Sequence, residues 1–323
     1  MRFAITGSGT ISHRFAQAIA RIPGSEVSAV LSRTQQRADA FAAEIGARRG
    51  YCDIDNMLED ANVDAVYIGV PNNLHLAQTL AALRHHKPVL CEKPMCCGQS
   101  DALTAIEAAR ECDTLLMEAL WTRTMPAYRR AKDWIAQGRI GAPLAINAAF
   151  CFHTSYDPAS RLYDPALGGG ALFDVGVYAL GFALDMAGRA PDAVNGMLHL
   201  CPGGVDDYAA VQLRLGDVIA SLNAGVNVSQ PGDAYVYGER GCIYMPKFWG
   251  ARRCELRDNS GALLDSFDDP IREDLYYEAL HFIDCCERGL KQSPLMPLAD
   301  SLELARLYDK LRAQAGLEPV SFG

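Results

Sequence analysis

Arg2-Phe3-Ala4-Ile5-Thr6-Gly7-Ser8-Gly9-Thr10-Ile11-Ser12 opens the chain. An apolar run of strand length ends in a glycine turn. An amphipathic stretch from Ser12 to Ile22 follows, with Phe15, Ala16, Ile19 and Ala20 on one helical face. Gly7 suits the tight turn, Gly9 lets backbone approach a pyrophosphate, and Ser12 is small enough for the helix to sit close to the sheet. The helix start, with Thr10 and Ile11, offers free N–H groups and a positive dipole end to phosphate. The spacing is a weak signal by itself; its place between a strand and a helix is what reads as a dinucleotide cradle.

Strand and helix go on alternating. Val27–Leu31 reads as a strand, Thr34–Ile45 as a helix capped by Gly46, and Ala65–Val70 as a strand stopped by Pro71. Leu74–His85 reads as a helix, Val89–Cys91 as a strand, Asp101–Glu111 as a helix capped by Ser100 or Asp101, and Leu115–Met117 as a short strand. Over the first 120 residues this predicts a parallel sheet wrapped by helices on both faces. The pattern then changes. Pro126–Gln137 is a helix ended by Gly138, Ala145–Phe152 a strand, and Ala171–Ala187 a long helix. Period-2 runs at Ala193–Leu200, Tyr208–Leu215, Val218–Val228, Ala234–Tyr237 and Cys242–Met245 predict a mostly antiparallel sheet. Helices over Arg272–Arg288 and Leu298–Ala315 close the chain. The expectation is an α/β protein of two domains, 1–120 and 121–323, the C-terminal helix being free to pack back on the first.

The 323 residues carry a net charge of -9 and 11 cysteines. That charge argues against a nucleic-acid surface, which needs clustered Lys and Arg. The odd cysteine count and the lack of paired C-x-x-C motifs argue against a disulfide framework and against structural zinc, so no metal is expected. With no signal peptide read at the N-terminus, a reducing, cytoplasmic setting is expected. The apolar stretches read as too short for a membrane span.

Cofactor choice rests on the end of the second strand. An NAD site usually has an acid there, roughly 20 residues past the glycine turn. This chain has Leu31-Ser32-Arg33-Thr34. Arg33 and Arg37, four apart, would share a helix face and suit a phosphate, with a hydroxyl at Ser32 or Thr34 adding a hydrogen bond. NADP is therefore expected, with NAD possible; the other reading is two solvated surface arginines. Past the next strand lie Pro71, Asn72 and His75, at the sheet edge where ligands collect. Asn72 and His75 either line the ribose side, or Asn73 caps the helix and His75 packs.

Glu92-Lys93-Pro94 follows the next buried strand at the same edge. Pro94 biases Lys93 towards extended backbone. A lysine there is able to donate to a substrate oxygen or hold a phenol ionisable; otherwise it is a surface lysine paired with Glu92. Asp174 and Tyr178, at i and i+4 of one helix, face the same way. Gly168-Gly169-Gly170 before them would let the chain pass close to a ligand.

These pieces together resemble the Gfo/Idh/MocA oxidoreductases across nearly the whole length. The resemblance is carried by the N-terminal glycine turn, Pro71-Asn72 with His75, Glu92-Lys93-Pro94, and Gly169-Gly170-Ala171-Leu172 with Asp174, Gly176 and Tyr178. Glu118-Ala119-Leu120-Trp121-Thr122-Arg123 and Arg161-Leu162-Tyr163 look most like the branch of dimeric dihydrodiol and D-xylose dehydrogenases. Many members have His in place of Tyr178, a departure that disfavours an inositol dehydrogenase. The resemblance implies a Rossmann domain followed by an α/β domain with an open sheet, often used for dimer contacts. It implies that Tyr178 is the proton donor or acceptor, that Lys93 lowers its pKa and binds the same oxygen, and that Asp174 orients substrate. Trp121, Arg123, Phe152 and Trp249 are candidate pocket walls, or else ordinary core. The expected activity is hydride transfer between NADP and a sugar, polyol or cyclic diol. The alternatives are a dinucleotide-binding sensor without turnover and a transhydrogenating enzyme that never releases its cofactor.

Overall fold

Six strands form one sheet in the order β3-β2-β1-β4-β5-β6, every pair parallel. They are β1 (Arg2–Thr6), β2 (Glu26–Leu31), β3 (Arg49–Tyr51), β4 (Ala65–Ile68), β5 (Val89–Glu92) and β6 (Leu116–Ala119). Helices α1 (Thr10–Ile19), α2 (Gln35–Ile45), α3 (Ile54–Leu58), α4 (His75–Arg84) and α5 (Gln99–Glu111) connect them. β1 to β6 are near-continuously buried, as parallel strands covered on both faces must be. The strand order reverses between β1 and β4, the topological switch point where such sheets take ligands. The computed structural model describes residues 1–271 and 275–323.

The chain divides into two compact units. The first holds Met1–Trp121 together with 275–302 and Ser321–Gly323. The helix α8 (Tyr276–Glu287) therefore returns to the first unit, packing on α1, with Phe282 6.0 Å from Phe3. Its expected start at Arg272 lies outside the described residues. Phe15 is fully buried, stacked flat on Tyr67 at 3.8 Å and edge-on to Phe3 at 5.4 Å. Burying one such ring contributes about 1.5–3 kcal/mol.

The second unit holds 122–271 and Glu303–Val320. Its eight-stranded sheet runs β14-β13-β12-β11-β7-β10-β9-β8. The strands are β7 (Pro143–Cys151), β8 (Ala193–Leu200), β9 (Asp206–Leu215), β10 (Val218–Gly225), β11 (Ala234–Gly238), β12 (Gly241–Met245), β13 (Arg253–Asp258) and β14 (Leu263–Asp268). Only β7 and β10 pair in parallel; every other pair is antiparallel. Helices α6 (Pro126–Ala136) and α7 (Val177–Ala187) pack on this sheet, and α9 (Leu298–Gln314) ends the described elements. α7 is apolar on all sides and buried nearly throughout, as a core helix should be.

Several expectations need correction. β3, α3, β13 and β14 escaped the sequence reading. α5 begins at Gln99 behind Gly98, and neither Ser100 nor Asp101 caps it; Asp101 instead accepts from the Ser321 hydroxyl and the Phe322 N–H. Pro165–Ala187 is long and apolar enough to cross a membrane by composition, contrary to expectation, but 89% of its apolar window is buried within the protein.

Candidate functional site

The glycine turn is shaped by its neighbours. Gly7 has φ +87°, and a Cβ there would stand 2.8 Å from the Gly69 carbonyl oxygen. Gly7 N–H donates to Leu31 O and Gly69 N–H to Thr6 O, tying three strand ends together at the carboxyl edge. A Cβ on Gly69 would meet Ser12 Oγ at 2.8 Å, which is why a small residue occupies the first turn of α1. Gly9 differs: its φ is ordinary and a Cβ there would touch nothing. Gly9 and Thr10 are exposed, Ile11 is half-buried, and no side chain caps α1. Open space beside an uncapped helix N-terminus fits a pyrophosphate.

At the end of β2, Ser32 Oγ lies 3.4 Å from Ser8 Oγ. Thr34 is the N-cap of α2 and its hydroxyl accepts from the Arg37 N–H, so that hydroxyl is committed to the helix. Arg33 precedes the cap, and only Arg37 is helical, so the i, i+4 argument for a shared face does not hold. Both arginines are exposed beyond the carboxyl end of β2. The residues fit NADP: a guanidinium pair stands where an acid would repel a 2′-phosphate.

His75 is buried, and its Nδ1 and Nε2 lie 2.8 Å and 2.9 Å from the carbonyls of Pro94 and Val70. Burial lowers its pKa, and a neutral ring donates to one carbonyl at a time. It braces the Val70-Pro71 turn against the lysine turn, the packing alternative. Asn73 caps no helix; Asn72 begins a 3₁₀ turn, Asn72–Leu74, behind exposed Pro71.

Lys93 is half-buried and follows β5 through a cis Lys93–Pro94 peptide, a geometry open in practice only to proline. Glu92 accepts from the Lys93 backbone N–H at 3.3 Å and from the Tyr67 hydroxyl at 2.5 Å. Glu278 of α8 is fully buried, and among the described residues neither of its carboxyl oxygens has a hydrogen-bond partner. Burial raises the pKa of both acids, and the Glu92 charge pushes Glu278 further, while Arg14 opposes the rise. Tyr67, Arg14 and Glu278 were not found from sequence; they stand on β4, α1 and α8, and nothing local links them.

The second unit carries the acid and the phenol. Leu172–Gly176 is a π-helical turn leading into α7, not the regular helix expected. Such turns are frequent at functional sites. Its wider winding lies between Asp174 and Tyr178, so the i, i+4 face does not apply as drawn. Asp174 pairs with Arg161 at 3.0 Å; the acid's side chain is 12% exposed and the arginine's 60%. Tyr178 is buried, edge-on to Phe150 at 5.4 Å, and Phe150 stacks on Trp249 at 3.8 Å. Phe152 is half-buried, 6.2 Å from Phe150. Phe150 is a ring against the phenol that the sequence reading missed.

Trp121, in the first unit, is buried with Arg14 6.0 Å from its ring. Arg123 is buried too, donating to Gly181 O at 3.1 Å beside Asp185 at 4.0 Å. Those contacts tie Arg123 to α7, as in the core-packing alternative. The glycine run is also explained without a ligand. A Cβ on Gly169 would meet three carbonyl oxygens at 2.9 Å, and Gly170, φ +131°, faces Asp206.

A parallel sheet of this strand order with a phosphate-ready turn, in a chain whose second unit carries a buried phenol and an ion-paired acid, has the parts of a dinucleotide oxidoreductase. Residues 1–120 match the family model described as "Oxidoreductase family, NAD-binding Rossmann fold" and residues 128–244 the "GFO/IDH/MocA C-terminal domain". The chain belongs to the GFO/IDH/MocA family, and it is an NAD(P)-dependent oxidoreductase. It is 30% identical to the trans-1,2-dihydrobenzene-1,2-diol dehydrogenase of Mus musculus, over 98% of this chain and 97% of that one. It is 31% identical to the scyllo-inositol 2-dehydrogenase (NADP(+)) IolU of Bacillus subtilis (strain 168), over 98% of each chain. The structure of KijD10, a 3-ketoreductase from Actinomadura kijaniata, in complex with NADP and TDP-benzene, superposes with a TM-score of 0.84 at 26% identity, over 97% of each chain.

Proposed function

We propose that this chain is an NADP-dependent dehydrogenase or reductase acting on the hydroxyl-bearing carbon of a sugar, polyol or cyclic trans-diol. The observation that carries the reading is the full-length likeness, at about 30% identity, to dehydrogenases of a cyclic diol and of an inositol. NADP is favoured by the absence of an acid after β2 and by exposed Arg33 and Arg37.

A bound nicotinamide supplies or accepts the hydride. The chain's own residues do the rest. Gly7, Gly9, Thr10 and Ile11 hold the pyrophosphate at the open start of α1; Ser32, Arg33 and Arg37 hold the 2′-phosphate. Pro71, Asn72, His75 and Glu92 shape the wall around them. Tyr178 passes the proton to or from the reacting oxygen, its ring held by Phe150. Lys93 brings positive charge to the same oxygen, its backbone fixed by Glu92. Asp174, kept company by Arg161, binds a substrate hydroxyl. Phe150, Phe152 and Trp249 give the second unit an apolar surface against which a ring lies. A reducing, cytoplasmic setting belongs to this reading, as the cysteine pattern of the sequence suggests.

The test is NADP⁺ reduction against aldoses, polyols and trans-diols, beside NAD⁺ and beside Lys93→Met. The expected result is turnover with NADP⁺ that falls by about 10³-fold or more in the variant, while NADPH binding, followed by its fluorescence, persists. Binding without turnover on any substrate would replace this reading with the sensor.

A further inference from the structure

Asp206, at the start of β9, is fully buried. Its Oδ2 accepts from the Leu172 N–H at 2.6 Å, and Leu172 is the first residue of the π turn that carries Asp174. Its Oδ1 occupies the space a side chain on Gly170 would need: a Cβ there would stand 2.5 Å away. Gly170 also has φ +131°, a conformation L side chains rarely adopt. The third glycine of the run is thus the seat of this carboxylate. An ionised acceptor at the first N–H groups of a helix is favoured by both the hydrogen bond and the dipole.

We propose that Asp206 is a positioning residue for the reaction, its ionised carboxylate clamping the start of the Asp174–Tyr178 helix so that both side chains hold their working orientation. This rests on the proposed function above. Burial pushes the Asp206 carboxyl up to about 6. The Leu172 N–H and Arg312 of α9 pull it down; neighbouring Asp207, itself bonded to His199 of β8 at 2.6 Å, pushes it up. Asp174, on the clamped turn itself, is paired with Arg161. The carboxylate form therefore prevails above about pH 6. Below it a neutral acid grips the Leu172 N–H less tightly, and kcat falls.

The experiment compares kcat and KM from pH 5 to 9 for the wild type and Asp206→Asn, which keeps the shape and an acceptor oxygen but no charge. The variant is expected to lose the acid limb near pH 6. Its kcat at pH 8 should fall about five- to tenfold, with KM for NADP unchanged. An acid limb that stays in place in the variant would overturn the proposal. A second readout needs no turnover: hydrogen-exchange protection factors of peptides spanning residues 170–187. In the wild type these should drop between pH 7.5 and 5.5, and in the variant stay level. Equal wild-type protection at both pH values would overturn the clamp even if no substrate is ever found. That measurement stands on the wild type alone should the variant not fold.

Discussion

Glu278 is the residue whose chemistry is least visible from its surroundings in the chain. It sits on α8 among apolar neighbours, reads as an ordinary helix position, and is fully buried close enough to Glu92 to feel its charge. An acid whose folded pKa lies above its unfolded value adds most to stability below the unfolded value. That contribution is lost as pH rises through the folded one. The pair Glu92 and Glu278 behaves so, both being raised by burial. Glu278→Gln removes one ionisation that the fold resists. Its melting temperature is expected to match the wild type near pH 4.5 and to exceed it increasingly towards pH 9. Calorimetry across that range would disprove this if the variant were less stable at the alkaline end. Lys93 was legible because its motif is contiguous and ends a strand. Tyr67, Arg14 and Glu278 were not, because their relation exists only once β4, α1 and α8 have packed.

Among the elements, the β1–α1 turn was read almost complete, since steric rules for glycine act over a few residues. The helix bearing Asp174 was read as regular, because no residue pattern distinguishes a π turn from an α turn in an apolar run. Trp249 was named from sequence but not its seat. A Cβ on Gly232 would stand 2.0 Å from the indole, and the Thr122 hydroxyl donates to Trp249 O at 2.6 Å. The ring is thereby pressed flat on Phe150. Gly232→Ala is expected to push the indole off that ring. Loss of the stack costs about 0.5–1.5 kcal/mol. Tryptophan emission should shift to the red, and KM for substrate should rise with cofactor affinity kept. An unchanged emission spectrum would show that the indole does not lean on Gly232.

At the scale of the molecule, the eight-stranded sheet has helices on one face. The other carries Met197, 75% exposed, Ile219, 47% exposed, and the stacked pair Tyr235 and Tyr237 with Tyr244 behind them. Alternation along the strands predicted a mostly antiparallel sheet, and its openness was implied only by the family resemblance; β13 and β14 were missed because their sequences, Arg253–Asp258 and Leu263–Asp268, are rich in charge. A large uncovered face with exposed aliphatic and aromatic side chains marks an interaction surface. We propose a homodimer through it. Sedimentation at micromolar concentration is expected to give a dimer for the wild type and a monomer for Met197→Lys with Ile219→Lys. A wild-type monomer at that concentration would rule out the proposal.

The parallel pairing of β7 with β10 carries a further meaning. These two strands are neighbours in the sheet, yet everything from Phe152 to Asp217 lies between them in the chain: Arg161, the glycine run, Asp174, Tyr178 and the β8–β9 hairpin. The acid and the phenol proposed for the reaction are thus carried on one connection whose two ends are fixed by a ladder. Lengthening or exchanging the 152–164 segment changes what surrounds Asp174 while leaving the flanking ladder in register. The fold is in this sense a socket with an exchangeable insert, and relatives with differing substrates are what such an arrangement makes easy to evolve.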